Sequence, residues 1–161
     1  MAVCFADLAT VNYTPMEYAP LDNQEVRLRI LQLGTPANEE QTRHIVILGD
    51  EYKRELLIQI GPCEAVAILR RLEVDPEAMP NQPYAHDLLM AICDTMGATL
   101  DKVVIDDLWH KTYYAKLYFQ MDGEVITIDA RPSDAIALAL RADAPMFASE
   151  AVMVAAEQSQ Q

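Results

Sequence analysis

A cluster of ionisable and hydroxyl side chains marks the junction between a predicted strand and a predicted helix. Asp129, Arg131, Ser133 and Asp134 fall within six residues, and Pro132 takes the first helical position, where proline is favoured. A helix N-terminus offers free N–H groups and the positive end of its dipole, so this junction could hold a phosphate. Arg131 could clamp that phosphate through two hydrogen bonds with Ser133 as a further contact, while Asp129 could hold a divalent cation. Helix capping accounts for Pro132 and Asp134 without a ligand, but it does not account for Arg131.

Two other predicted helices also begin with residues that could do chemistry. Glu64 follows Gly61-Pro62 at the start of one helix, and His86-Asp87 opens the next. Histidine titrates near neutral pH and could activate water, while the carboxylates of Glu64 and Asp87 could bind a metal or act as a base. Adjacent helical residues do not face each other, so His86 and Asp87 cannot form a simple dyad. Acids in a first turn are also what the helix dipole favours, so capping is the alternative.

A strand that alternates tyrosine and lysine is the remaining candidate surface. Tyr114, Lys116 and Tyr118 lie on one face of the predicted strand Thr112–Gln120. Rings interleaved with a cation suit the stacking of unpaired bases and contact with phosphate. An ordinary solvated face of an antiparallel sheet has the same composition.

Periodicity predicts the elements that position these residues. Alternation of period two indicates strands, and apolar residues three and four apart indicate helices. The second helix, for example, carries Leu88, Leu89, Ile92 and Met96 on one face. The predicted strands are Glu25–Leu33, His44–Leu48, Glu55–Ile60, Leu100–Leu108, Thr112–Gln120, Glu124–Asp129 and Pro145–Ala148. The predicted helices start near Glu64, run from about Ala85 to Met96 and from about Ser133 to Asp143, and end with Glu150–Glu157.

The order of these elements predicts a single compact α+β domain with a mixed, largely antiparallel sheet and three to four helices. Residues 1–24 are predicted to be an irregular lead-in, residues 25–153 the domain, and residues 154–161 a C-terminal tail. Trp109-His110-Lys111 is predicted to join the strands Leu100–Leu108 and Thr112–Gln120, and Asp122-Gly123 is predicted to be a two-residue hairpin turn that leads into the next strand.

Composition narrows the class of protein. The 161 residues include 12 basic and 25 acidic side chains, a net charge of −13 that repels a polyanion as a whole. Any contact with nucleic acid must therefore rest on a local basic patch or on bridging cations. The three cysteines are widely spaced, which predicts no disulfide framework and favours a cytoplasmic location. No apolar run reaches the length of a membrane span, so no membrane association is expected.

Four segments together resemble the bifunctional nuclease domain family. They are IGPCEAVAI at 60–68, AHDLL at 85–89, TYYAKL at 112–117 and DARPSDAIALA at 129–139. The last is the most specific, and the resemblance extends over about residues 25–153. It implies a compact α+β domain, and it implies DNase and RNase activity, which has been attributed to some members. This chain has His110-Lys111 where family members tend to have an Asp-Gly turn.

The leading hypothesis is therefore hydrolysis of phosphodiester bonds in DNA or RNA, with Mg²⁺ or Mn²⁺ as the candidate metal ion and no organic cofactor expected. The predicted metal ligands are Glu64, Asp87 and Asp129, and Arg131 would stabilise charge on the phosphate. The predicted catalytic set is Glu64, His86, Asp87, Asp129, Arg131 and Asp134, with Arg131, Ser133, Tyr114 and Lys116 binding substrate. The alternative is a non-catalytic module that senses a small anion or binds a protein. Unpaired strand edges also predict a homo-oligomer.

Overall fold

A computed structural model describes residues 25–35, 44–72 and 82–159, so the predicted lead-in at 1–24 lies outside the described residues. Within these ranges the strands are β1 Glu25–Gly34, β2 His44–Gly49, β3 Glu55–Ile60, β4 Thr99–Trp109, β5 Thr112–Met121, β6 Glu124–Ala130 and β7 Met146–Ser149. The helices are α1 Pro62–Leu72, α2 Ala85–Thr95, α3 Pro132–Ala142 and α4 Glu150–Ser159.

The strands form one sheet in the order β3-β2-β1-β7-β4-β5-β6. Every neighbouring pair is antiparallel except β4 and β7, which run parallel through the pairs Val103–Met146 to Ile105–Ala148. The parallel pair arises because the chain crosses over the sheet through α3 before it returns as β7. The α+β prediction with a mixed, largely antiparallel sheet is confirmed.

Two tight hairpins fix the register of the strands that approach α3. His110 and Lys111 connect β4 to β5 with φ of 48° and 63°, and Asp122 and Gly123 connect β5 to β6 with φ of 52° and 82°. Two consecutive left-handed residues characterise the hairpin turn whose twist matches that of the flanking strands. The Asp122-Gly123 turn is confirmed; the first connection is one residue shorter than predicted, because Trp109 belongs to β4, and His110-Lys111 adopts this geometry without a glycine.

The core lies between the sheet and the helices. α3 is its centre, because it packs on β4 and β5 and is flanked by α1 and α2. Ala135 to Ala139 are all buried, as expected of a helix enclosed by neighbours on several sides. Small alanine side chains let those neighbours approach closely.

α4 extends through much of the predicted tail. Val152, Met153 and Ala156 lie on one helical face and are buried, so the helix continues to Ser159. Arg54 pairs with both Asp50 and Glu150, which ties the β2–β3 turn to the first residue of α4. In the part of the chain that the structure describes, no helix is long and apolar enough to cross a membrane.

Candidate functional site

Three helix N-termini meet at one end of α3, and each carries an acid at the same position. The carbonyls of Gly61, Tyr84 and Arg131 accept the first helical bonds of α1, α2 and α3. Three residues after each of these stands a carboxylate: Glu64 in α1, Asp87 in α2 and Asp134 in α3. An acid at the third helical position satisfies free amides and the helix dipole. Both α1 and α2 pack against α3.

Arg131 joins two of these helix ends. Its Nε and Nη2 donate to Asp134 Oδ2 and Oδ1 at 2.7 and 3.1 Å. Its Nη1 forms an ion pair with Glu64 Oε1 at 3.0 Å. The hydrogen bond to Asp134, reinforced by Glu64, raises the pKa of Arg131. The side chain is 66% exposed, so its remaining N–H groups open to solvent.

Glycine at position 61 makes room for the Glu64 carboxylate. A Cβ at Gly61 would lie 2.5 Å from Glu64 Oε2, which is closer than real Cβ atoms approach. The carboxylate is thus folded back over the start of α1, where it meets Arg131. The Gly-Pro-x-Glu sequence sets this position locally.

His86 and Asp134 form a pair between α2 and α3. His86 Nε2 lies 3.0 Å from Asp134 Oδ1, and the histidine side chain is only 15% exposed. Burial by itself raises the pKa of Asp134, but hydrogen bonds from Arg131 and His86 outweigh burial and lower that pKa overall. An ionised Asp134 favours the tautomer with the proton on Nε2, which leaves Nδ1 as an acceptor. Glu64, Arg131, Asp134 and His86 therefore form one connected network, which we call the helix-end cluster.

Asp87 is oriented away from this cluster and holds α2 in place. It accepts from Tyr84 N at 2.8 Å and from Arg141 Nε at 2.7 Å. Arg141, whose side chain is 2% exposed, also donates to the carbonyls of Ala67 in α1 and Ala137 in α3. Burial raises the pKa of Asp87, whereas the bonds from Tyr84 and Arg141 lower it, and the net direction is downward. Arg141 thus ties all three helices together beside the cluster.

Sequence reasoning missed Arg141. A cation in the last turn of a helix is what the dipole favours, so nothing marked it as buried. The only signal in the sequence was its surroundings, because Arg141 is the one charged residue in the otherwise apolar stretch from Ala135 to Ala142.

The remaining predicted site residues lie elsewhere. Asp129 pairs in register with Lys116, and the two point to the sheet face opposite the one that α3 covers. Lys116 forms ion pairs with Asp106 and with Asp129, the latter at 3.9 Å, and Tyr114 is half exposed on the same face. The hydrogen bond to Asp106 raises the pKa of Lys116. Ser133 is buried at the start of α3.

The structure also separates the three predicted metal ligands. Glu64 pairs with Arg131, Asp87 with Arg141, and Asp129 lies near Lys116. Across residues 25–35, 44–72 and 82–159, no group of three or more His, Cys, Asp or Glu side chains is placed to hold a metal ion. These three carboxylates therefore do not form a shared cation site, and a role for Mg²⁺ or Mn²⁺ stays a prediction.

Comparison with known proteins places the chain in a family. The bifunctional nuclease domain matches residues 46–161. The uncharacterized protein Rv1829 of Mycobacterium tuberculosis is 37% identical over 133 residues, covering 82% of this chain and 75% of that protein. Bifunctional nuclease 1 of Oryza sativa subsp. japonica is 29% identical over 121 residues, covering 73% of this chain and 35% of the rice protein. The match spans β2 to α4 and contains the whole helix-end cluster, so this chain belongs to the bifunctional nuclease domain family.

Proposed function

We propose that this protein hydrolyses phosphodiester bonds of nucleic acid at the helix-end cluster. The observation that carries the proposal is the network itself: a histidine, an arginine and two carboxylates from three helices connected at 2.7 to 3.1 Å. Relatives named as nucleases supply the reaction class. The cluster supplies two kinds of group that the reaction needs, a proton acceptor and an exposed guanidinium.

Each residue of the cluster has a distinct role in this proposal. Water attacks phosphorus as the bond to the leaving oxygen breaks, so the attacking water gives up one proton and the leaving oxygen takes one from solvent water. His86 Nδ1 accepts the first proton, because Asp134 holds Nε2 and so fixes the orientation and tautomer of the ring. Arg131 donates its free N–H groups to the non-bridging phosphate oxygens. Glu64 and Asp134 hold the guanidinium in position.

The charge of the cluster bears on its metal dependence. Two carboxylates against one guanidinium leave a formal charge of −1 when His86 is neutral. The cluster as a whole therefore repels an incoming phosphate, and a divalent cation bound with the substrate would offset this repulsion. For this reason we propose that Mg²⁺ or Mn²⁺ stimulates cleavage.

The cysteine pattern favours a cytoplasmic site of action.

The test compares two arginines that differ in position. Single- and double-stranded DNA and RNA are incubated with wild type, Arg131→Ala and Arg29→Ala, with and without Mg²⁺ or Mn²⁺. Arg29 is an exposed arginine of β1, so its loss changes the net charge equally without touching the cluster. We expect Arg131→Ala to lower kcat/KM about 100-fold and Arg29→Ala to leave it within about twofold. Equal activity of wild type and Arg131→Ala would exclude this site, and binding of nucleic acid without turnover would support the non-catalytic alternative.

A further inference from the structure

Two large aromatic side chains lie exposed near the turn that joins β4 to β5. Trp109 is 59% exposed and Tyr114 is 50% exposed. Trp109 pairs with Thr112 and Tyr114 pairs with Asp107, so the two rings extend from the same face of the sheet, while Tyr113 packs against the core on the other face. Trp109 and Tyr114 are diagonal neighbours about 7–8 Å apart, a distance that large rings span. We call this pair the aromatic platform.

The aromatic platform adjoins the helix-end cluster at Arg131. Ala115 pairs with Ala130, the last residue of β6. The backbone of Arg131 is still extended, with φ of −72° and ψ of 143°, so this residue comes within roughly 6 Å of Tyr114 on the neighbouring strand. The guanidinium of Arg131 contacts Asp134 on the helical side. Arg131 therefore connects the sheet face that carries the platform with the helix-end cluster.

The charges around the aromatic platform balance. Residues 106–116 and 129–131 contain three basic and three acidic side chains, a formal charge of zero, whereas the whole chain carries −13. These side chains are Lys111, Lys116 and Arg131 against Asp106, Asp107 and Asp129. The other end of the same three strands, residues 99–101 and 120–125, carries Asp101, Asp122 and Glu124 and no basic residue. A nucleic acid is therefore repelled less strongly at the platform than at the far end of these strands.

From this arrangement we infer that the aromatic platform binds single-stranded nucleic acid, whose unpaired bases stack on Trp109 and Tyr114. Arg131 then contacts the adjoining phosphate. The inference rests on the proposed function for the choice of a polynucleotide, and it adds the strandedness of the substrate and the surface that selects it. A duplex keeps its bases stacked on one another, so their faces cannot reach the two rings. Stacking accepts any base, because every base has an aromatic face, so we expect little sequence preference.

Trp109 is the only tryptophan among the 161 residues, so tryptophan fluorescence reports directly on the platform. The full chain is titrated with an oligothymidylate and with a duplex of the same length, in EDTA so that divalent cations are removed. We expect the single strand to quench the emission and to bind at least about tenfold more tightly than the duplex. No quenching by the oligothymidylate up to about 1 mM, or equal affinity for the duplex, would overturn the inference.

Substitution of Tyr114 tests whether its ring contacts the bases. Anisotropy of a labelled oligothymidylate is measured with wild type, Tyr114→Ala, Tyr114→Phe and Tyr52→Ala. Loss of one stacked base should weaken binding about tenfold in Tyr114→Ala, whereas Tyr114→Phe keeps an aromatic ring and should bind within about twofold of wild type. Tyr52→Ala is the matched control, because Tyr52 is 71% exposed in the turn between β2 and β3, at the opposite edge of the sheet from β6. Wild-type affinity in Tyr114→Ala, or an equal loss in Tyr52→Ala, would contradict the platform.

Cleavage kinetics separate this inference from the catalytic proposal. The platform holds bases beside the scissile phosphate, so Tyr114→Ala should raise KM for single strands about tenfold with kcat within about twofold of wild type. An unchanged KM would overturn the platform and leave catalysis at the helix-end cluster intact. Quenching of Trp109 by single strands without any cleavage would support the platform and refute the proposed catalysis.

Discussion

Replacement of Arg141 by methionine tests how the three helix ends are held together. Arg141 is almost fully buried and donates to Asp87, Ala67 O and Ala137 O, one partner in each of α2, α1 and α3. Methionine reproduces the aliphatic part of the arginine side chain and packs flexibly in apolar surroundings, so Arg141→Met removes the donors and keeps much of the packing. The variant therefore reports mainly on the hydrogen bonds.

The expected loss of unfolding free energy follows from these partners. Removing one member of a buried ion pair costs about 3–5 kcal/mol, and each buried acceptor left without a donor costs about 1–3 kcal/mol. Two features reduce the sum: Asp87 keeps 31% exposure and the bond from Tyr84, and Arg141 Nη2 is buried without a partner in the described chain. We expect a net loss of about 3 kcal/mol, or about 6–12 °C in Tm.

Urea unfolding of wild type, Arg141→Met, Asp87→Asn and the double variant measures this loss and its origin. Asparagine can still accept from Tyr84 N, so the cycle isolates the contact with Arg141. We expect a coupling free energy of about 1–2 kcal/mol. A loss below about 1 kcal/mol for Arg141→Met, or a coupling near zero, would refute the view that this guanidinium holds the helices together.

Two further predictions concern the β2–β3 region. Gly49→Ala should lower the free energy of unfolding by about 1–3 kcal/mol, because the new Cβ would lie 2.4 Å from Leu31 Cδ1. Urea unfolding measures this loss, and an unchanged unfolding midpoint would contradict the prediction. Burial raises the pKa of Asp50, but hydrogen bonds from Arg54 and Tyr52 outweigh burial and lower that pKa overall. The ionised form of Asp50 therefore stabilises the fold at neutral pH. This contribution is lost as the pH falls below about 4. Wild type should therefore be more stable than Asp50→Asn at pH 7, and the difference should shrink by pH 3; a difference independent of pH would contradict the assignment.

The elements were predictable where burial and periodicity agree. β3 was predicted with its observed bounds between the turn signals Gly49-Asp50 and Gly61-Pro62, and its buried and exposed residues alternate along ELLIQI. In α2 the apolar period correctly indicated a helix, but its face of Leu88, Leu89, Ile92 and Met96 is exposed rather than packed within the chain. A period identifies an apolar face and cannot tell whether that face packs against its own chain or against another.

The candidate site was predictable only as separate pieces. The candidate residues at each helix start were recognisable from the sequence. First turns favour acidic residues, and helix capping does not explain the presence of Arg131. The contact between these residues could not be predicted, because His86 and Asp134 are 48 residues apart in sequence and are brought together only by the packing of α2 on α3. The short spacing between Asp129 and Arg131 in the sequence did not show that their side chains lie on different surfaces. Two residues that neighbour in sequence can face opposite sides once a strand ends between them.

The most direct test of the helix-end cluster is the single-turnover cleavage rate of wild type against two histidine variants. His86→Ala removes the ring held by Asp134, whereas His110→Asn changes an exposed turn residue and keeps a side chain that tolerates positive φ. We predict that His86→Ala slows cleavage of a labelled oligonucleotide by at least about 100-fold and that His110→Asn leaves the rate within about twofold. Equal rates for wild type and a folded His86→Ala protein would contradict the assignment of catalysis to this cluster.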